Sequence, residues 1–281
     1  MSLLAFSVDV EDYFHAESLR RFCPRSAWDS LEDRTVGNTR RVLDLLDEAA
    51  NRGTFFVLGW VAERHPDLVR EIAARGHEVA SHGFDHELIY RQSPDAFRED
   101  VRRARELLQR LSGQEVIGYR APSYTIVERT LWALPILAGE GYLYDSSIFP
   151  IRRRKYGIPN APRQPYRMTL GADTELVEFP LPTVRLPGMN LPATGGAYLR
   201  LLPLSLQEWA VRRHLQNRRA LVLNVHPWEF DPGQPRLPVG LRVRWTHYHN
   251  LDRTESRTRK LLQISTFQTQ TDVLRELDLL P

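Results

Sequence analysis

The sequence predicts an α/β protein built on a parallel sheet, open or closed into a barrel. Two observations carry this. Seven apolar, strand-like segments are each separated from the next by a helix-like segment or a long loop, and such alternation requires crossover connections. The polar residues with chemical potential also cluster just after these apolar runs, where parallel α/β folds place their sites. At 281 residues, 42% hydrophobic and 26% charged, the chain has the composition of a soluble domain with a sizeable core.

LLAFSV opens as a buried strand and ends in DVEDYFH, where Asp9, Glu11 and Asp12 crowd together. Val42, Leu43, Leu46, Ala49 and Ala50 recur at helical spacing and stop at Arg52-Gly53. TFFVLG, from Thr54, reads as the second strand. A helix follows with Pro66 in its first turn, Leu68, Ile72 and Ala73 on one face, and Gly76 closing it before EVAS. The next helix turns Phe97, Val101, Ala104 and Leu108 inward and leads to EVIGYRAP. ERTLWALPILAGEG is a shorter helix ahead of YLYDSS. LVEFPL and ALVLNVHP are the last two strands, with SLQEWAVRRHLQNRR as the helix between them. Nine prolines between 149 and 203 predict long ordered loops there. Beyond them, RWTHYHN and an amphipathic helix around Arg253 to Ile264 form a tail. The expected division is a barrel over 1–235 and a C-terminal extension over 236–281 packed on it.

The net charge is only +3. The basic runs Arg152, Arg153, Arg154, Lys155 and Arg253 to Lys260 read first as solvated faces, with an anionic glycan, lipid head group or nucleic acid as the alternative. Cys23 is the single cysteine, which excludes an internal disulfide framework and a thiolate metal cluster. The N-terminus lacks a basic leader and no stretch approaches the ~20 apolar residues of a spanning helix. A soluble, cytoplasmic protein is expected.

Five strands end in a carboxylate, an imidazole or a guanidinium. His82 and His86 are spaced to meet one metal ion, and a carboxylate from the first strand end would complete a His-His-carboxylate set with open positions. Another of those carboxylates could act as general base on a metal-activated water. Arg120, after EVIGY, is placed to hold that base. His226, after LVLNV, could protonate a leaving amine, with Asp145 orienting its other ring nitrogen. Tyr124, Trp228 and Trp60 could wall a sugar ring.

In this order, D-x-x-D, S-H-x-x-x-H, R-A-P, D-S-S and L-N-V-H resemble the polysaccharide deacetylases, the NodB-homology or family 4 carbohydrate esterases, over roughly residues 3 to 230. The resemblance implies a distorted (β/α)7-type barrel and a divalent metal, most commonly zinc, serving removal of N-acetyl groups from amino sugars. It implies Asp9 as catalytic base, His82 and His86 as metal ligands, and Arg120 steering the base. Asp145 would orient His226, the general acid, and backbone amides near Ser123 and Tyr124 would hold the oxyanion. Here Val10 and Glu11 intervene where the family usually has adjacent aspartates. Asp12 is therefore the favoured metal carboxylate, with Glu11 as the alternative. DVEDYFH, PATGGAYLR and the WEFDP and HYHN segments resemble a subgroup associated with exosortase-linked exopolysaccharide clusters, so exopolysaccharide machinery is an expected partner. The other readings are an allantoinase-like hydrolase of small cyclic amides and a non-catalytic glycan-binding protein.

Overall fold

The computed structural model describes residues 2–281 apart from 154, 172–173 and 193, so Arg154 of the first basic run lies outside the described residues. Ten strands and ten helices lie among them. The strands are β1 (Leu4–Val10), β2 (Thr54–Val57), β3 (Glu78–Ser81), β4 (Gly118–Tyr119), β5 (Tyr144–Asp145), β6 (Tyr166–Thr169), β7 (Glu175–Glu178), β8 (Thr183–Leu186), β9 (Met189–Pro192) and β10 (Leu221–Val225). The helices are α1 (Thr35–Glu48), α2 (Gly59–Arg64), α3 (Pro66–Ala74), α4 (Pro94–Ser112), α5 (Ala133–Gly139), α6 (Ala197–Leu201), α7 (Leu204–Gln216), α8 (Leu241–Tyr248), α9 (Thr254–Leu262) and α10 (Gln270–Glu276).

The main sheet runs β10-β1-β2-β3-β4-β5-β7-β6. Its first seven strands are parallel and correspond to the seven apolar runs; β6 adds to the edge antiparallel. This is a curled (β/α)7-type barrel. Its two edges, β10 and β6, are not paired with each other. Gln164 spans the gap instead: its side-chain Nε2 donates to the carbonyl of Ala220 at 3.2 Å and its Oε1 accepts from the Ala220 amide at 2.8 Å. Farther along, Thr194 Oγ1 and the Gly196 amide donate to the carbonyls of Val222 and Asn224.

Strand alternation divides the core in two. Leu4, Phe6, Val8 and Val10 of β1 face the helices, in one cluster with Phe55, Val57, Val79, Leu223 and Val225. Ala5 faces the lumen with Phe56, Ala80, Tyr144, Val177, Phe179 and Val222. Ser7 and Asp9 continue that inner row, so one face of β1 passes from apolar floor to charged mouth. The helices end where their sequences stop them. α4 begins at Ser93, whose side chain accepts from the Ala96 amide, with Pro94 at its first position, and it ends at Gly113 in a left-handed conformation.

The proline-rich segment is more regular than the expected loops. Prolines flank hairpin strands rather than interrupting them: β6 and β7 pair antiparallel, and β8 and β9 close over Pro187-Gly188, where Gly188 takes φ +77°. The RWTHYHN segment contributes to helix α8. Past α9 the chain returns to the barrel floor, where Gln268 exchanges backbone bonds with Leu4 and Phe6. Val273 and Leu274 of α10 then pack inside the lumen cluster. No helix among the described residues is long and apolar enough to cross a membrane.

Candidate active site

The C-terminal ends of β1, β3, β4 and β10 converge on one buried group of charges. His82 extends β3, its amide bonded to the Val57 carbonyl. His86 returns to it through a turn with φ +75° at Gly83 and +51° at His86. Asp100 of α4 pins this turn by accepting from the Phe84 amide at 2.9 Å. A β-carbon on Gly83 would lie 2.8 Å from that carboxylate, so the position has no room for a side chain.

Both imidazoles direct Nε2 at a single oxygen of Glu11, at 2.9 Å from His82 and 3.0 Å from His86, and all three residues are buried. His82 Nδ1 lies 2.8 Å from the Arg120 carbonyl, a pure acceptor, so Nδ1 carries the proton of the neutral ring. That leaves the Nε2 lone pair facing a carboxylate oxygen. Such an arrangement is repulsive until a cation stands between them, so this donor set fits a divalent ion. Burial works against ionisation of Glu11, yet His86 and His82 hold its carboxyl well below the usual range.

Asp12 is corrected out of the ligand set. It caps the turn Tyr13–His15: one oxygen accepts from the Tyr13 amide at 2.7 Å, the other from the Arg34 amide at 2.5 Å and from Thr35 Oγ1 at 3.4 Å. The inward row of β1 runs Ala5, Ser7, Asp9, Glu11. Asp12 falls outside it, and burial raises its pKa to about 7.

Asp9 lies beside Glu11. Its Oδ1 accepts from Arg120 Nη1 at 2.6 Å, and its Oδ2 from Asn224 Nδ2 at 3.3 Å and Tyr124 Oη at 3.5 Å. Arg120 is fully buried and wholly used: Nη1 also reaches Ser7 Oγ and Asn224 Oδ1, while Nε and Nη2 reach the Ser146 carbonyl and hydroxyl. A guanidinium fixed on so many sides has one place to put its charge.

His226 Nε2 stands 3.5 Å from Asp9 Oδ2. Its Nδ1 meets Glu229 Oε2 at 3.0 Å, and Glu229 Oε1 accepts from Arg200 Nε at 2.8 Å. Burial disfavours the imidazolium, but Glu229, with Glu11 and Asp9, outweighs it and pushes the pKa up to about 9. Glu229 itself is held down to about 2 against its burial, chiefly by Arg200 and then His226.

Asp145 is therefore not the partner of His226, a second correction. Tyr144 faces the lumen, so Asp145, one residue on, faces out. There it lies opposite Glu178 in the β5–β7 register and accepts from Ser147 Oγ at 2.5 Å. Ser147 Oγ in turn accepts from the Ala121 amide at 2.7 Å, so Asp145 braces the loop that follows Arg120. Trp228 and Trp60 do not wall the site. Both are buried: Trp228 lies between His226 and His247, and Trp60 among Phe14, His15 and Trp28. Ser123 and Tyr124 are left-handed, at φ 52° and 56°. The Tyr124 amide is spent on the Ala121 carbonyl, which removes it as an oxyanion donor.

Against known proteins, residues 22–137 match the family described as "Polysaccharide deacetylase". Residues 22–137 therefore carry a polysaccharide deacetylase domain. Residues 146–275 match a second family, described as "Domain of unknown function (DUF3473)". A peptidoglycan-N-acetylglucosamine deacetylase of Bacillus cereus is 34% identical over 96 residues, covering 34% of this chain and 35% of the relative. A chitooligosaccharide deacetylase of Rhizobium leguminosarum bv. trifolii is 32% identical over 97 residues, 33% of this chain and 45% of the relative. These matches thus span less than half the length of either relative. The crystal structure of a polysaccharide-deacetylase-like protein from Mycobacterium smegmatis superposes with a TM-score of 0.65 at 25% identity, covering 99% of this chain and 91% of that one.

Several site residues were not foreseen. Ser7 and Asn224 are direct partners in the β1–β10 register and flank Arg120. Both could have been found by extending the inner-face alternation backward from Asp9 and His226. Glu229 carries a local signal too, a glutamate three positions after His226 with proline between, the pattern of a capped turn. Phe149, Tyr156 and Tyr198, which gather beside Tyr124, come from the proline-rich segment and carry none.

Proposed function

We propose that this chain is a metal-dependent hydrolase that removes N-acetyl groups from an amino-sugar glycan or its biosynthetic intermediate. The observation that carries the reading is the convergence of Glu11, His82 and His86 beside a carboxylate held by Arg120, Asp9, and an imidazole backed by Glu229, His226. A divalent ion, zinc being suited to two imidazoles and a carboxylate, would be held by Glu11, His82 and His86 and would supply Lewis acidity toward water and the acetamide carbonyl.

The chain's own groups divide the proton transfers. Asp9, held and aimed by Arg120, takes a proton from the attacking water. His226 Nε2 delivers one to the departing nitrogen, and Glu229 at Nδ1 stabilises the imidazolium until it does. Tyr124 and Asn224 keep the second Asp9 oxygen from swinging away. The names of the relatives, a peptidoglycan-N-acetylglucosamine deacetylase and a chitooligosaccharide deacetylase, support this substrate class. The allantoinase-like and non-catalytic readings gain nothing from a base and an acid so arranged.

The experiment is acetate release from N-acetylglucosamine oligomers, with metal analysis of the purified protein. Release that stops with chelator and returns with zinc is the expected result. No release from any N-acetylated glycan, together with no bound metal, would overturn the reading.

A further inference from the structure

Arg200 of α6 is fully buried and has Glu229 as its carboxylate partner. Only Nε serves that pair. Nη1 donates to the carbonyls of His247 and His249 at 2.8 and 3.0 Å, and Nη2 to that of Thr246 at 3.0 Å. These carbonyls terminate α8, where a helix has acceptors without partners and the negative end of its dipole. Asn250 Nδ2 returns a bond to the Arg200 carbonyl at 2.9 Å. A second contact runs in parallel: the His247 ring stacks on Trp228 at 4.2 Å and 3°, and Trp228 lies 5.5 Å from His226 at 28°. His247 Nε2 is engaged by Gln234 Oε1 at 2.9 Å, and burial lowers its pKa to about 3, so it adds no charge there.

We propose that residues 241–250 are a working part of the catalytic centre, clamping Arg200 so that Glu229 fixes the Nδ1 proton of His226 and aims Nε2 at the substrate nitrogen. The inference rests on the deacetylase reading above, in which His226 is the acid. The charged groups facing His226 are Glu229 from its own turn and Asp9 and Glu11 from the end of β1; Arg200 stands behind Glu229, and neutral His247 behind Trp228. Arg200 and Glu229 act through His226 and are positioning residues.

Arg200→Lys isolates placement from charge, since an ammonium cannot span a carboxylate and three carbonyls as a planar fork does. The expected result is a fall in kcat on the order of 10- to 100-fold with KM nearly unchanged. In 15N spectra of the histidine rings taken above about pH 9, where His226 is neutral, its ring should pass from a single Nδ1–H form to a mixture, as it should in Glu229→Gln. If Arg200→Lys does not fold, Asn250→Gly drops only the bond to the Arg200 carbonyl, keeps the left-handed backbone, and should move the spectrum in the same direction. A wild-type ring spectrum and wild-type kcat in the folded variant would overturn the proposal. Should the native protein release no acetate, the deacetylase reading falls while the ring spectra still decide whether the clamp governs His226.

Discussion

At the residue scale, Glu11 and Asp12 are neighbours in different surroundings, Glu11 against both imidazoles and Asp12 capping a turn. Glu11→Gln should abolish stoichiometric metal binding while leaving the fold intact. Asp12→Ala should retain the metal and lose about 1 kcal/mol of stability through its cap. Metal analysis and thermal melting of the two variants test this, and metal loss in Asp12→Ala alone would reverse the assignment. The choice was readable in principle. Side chains on β1 alternate from Ala5 onward, and carrying that period one step past Val10 selects Glu11. What hid it was uncertainty over where the strand stops, compounded by a family pattern in which aspartate is the usual ligand. The same period places Asp145 on the outer face of β5, away from His226. Glu229 was hidden for another reason: it lies on the same short turn as His226, three residues on, rather than at the end of another strand.

At the element scale, β5 and β7 set Asp145 against Glu178 in a buried pair. Burial, then the charge of Asp145, pushes Glu178 well above the ordinary carboxyl range, and burial lifts Asp145 to about 6. Carboxyls whose folded pKa is raised keep a proton that the unfolded chain gives up. Their contribution to stability is complete below about pH 4; for Asp145 it is lost as pH rises through about 6, and for Glu178 at higher pH. Glu178→Gln should therefore flatten this part of the stability profile, gaining on the order of 1–3 kcal/mol at neutral pH relative to the parent. Denaturation midpoints between pH 4 and 8 measure it, and parallel profiles would refute it. The regular strands and helices were plain in the sequence because apolar period and caps agree there. The hairpins at 166–192 were not, since proline density reads as loop unless each proline is placed at a strand boundary or turn.

At the scale of the whole molecule, β1 is flanked by β10 and β2 from distant parts of the chain, and Ser7 bonds to Asn224 across 217 positions. Removal of residues 265–281 should open the lumen floor, exposing Ala5, Phe56 and Val222 and withdrawing Gln270 Nε2 from Ser146 Oγ, where it lies at 3.2 Å beside Arg120. The expected outcome is a protein that melts early and binds apolar dyes; one that retains its native melting temperature would show that α10 is dispensable. The barrel architecture was legible from alternation alone, but this closure was not, because nothing in residues 266–276 advertises that their partners lie at the beginning of the chain. The bond from Gln268 Nε2 to the Ser2 carbonyl, 266 positions away, has a consequence in time. During synthesis β1 can meet β2 early, but β10 and Gln268 reach it only after residues 221–276 have been made, so this centre matures late and is exposed until then to chaperones and proteases.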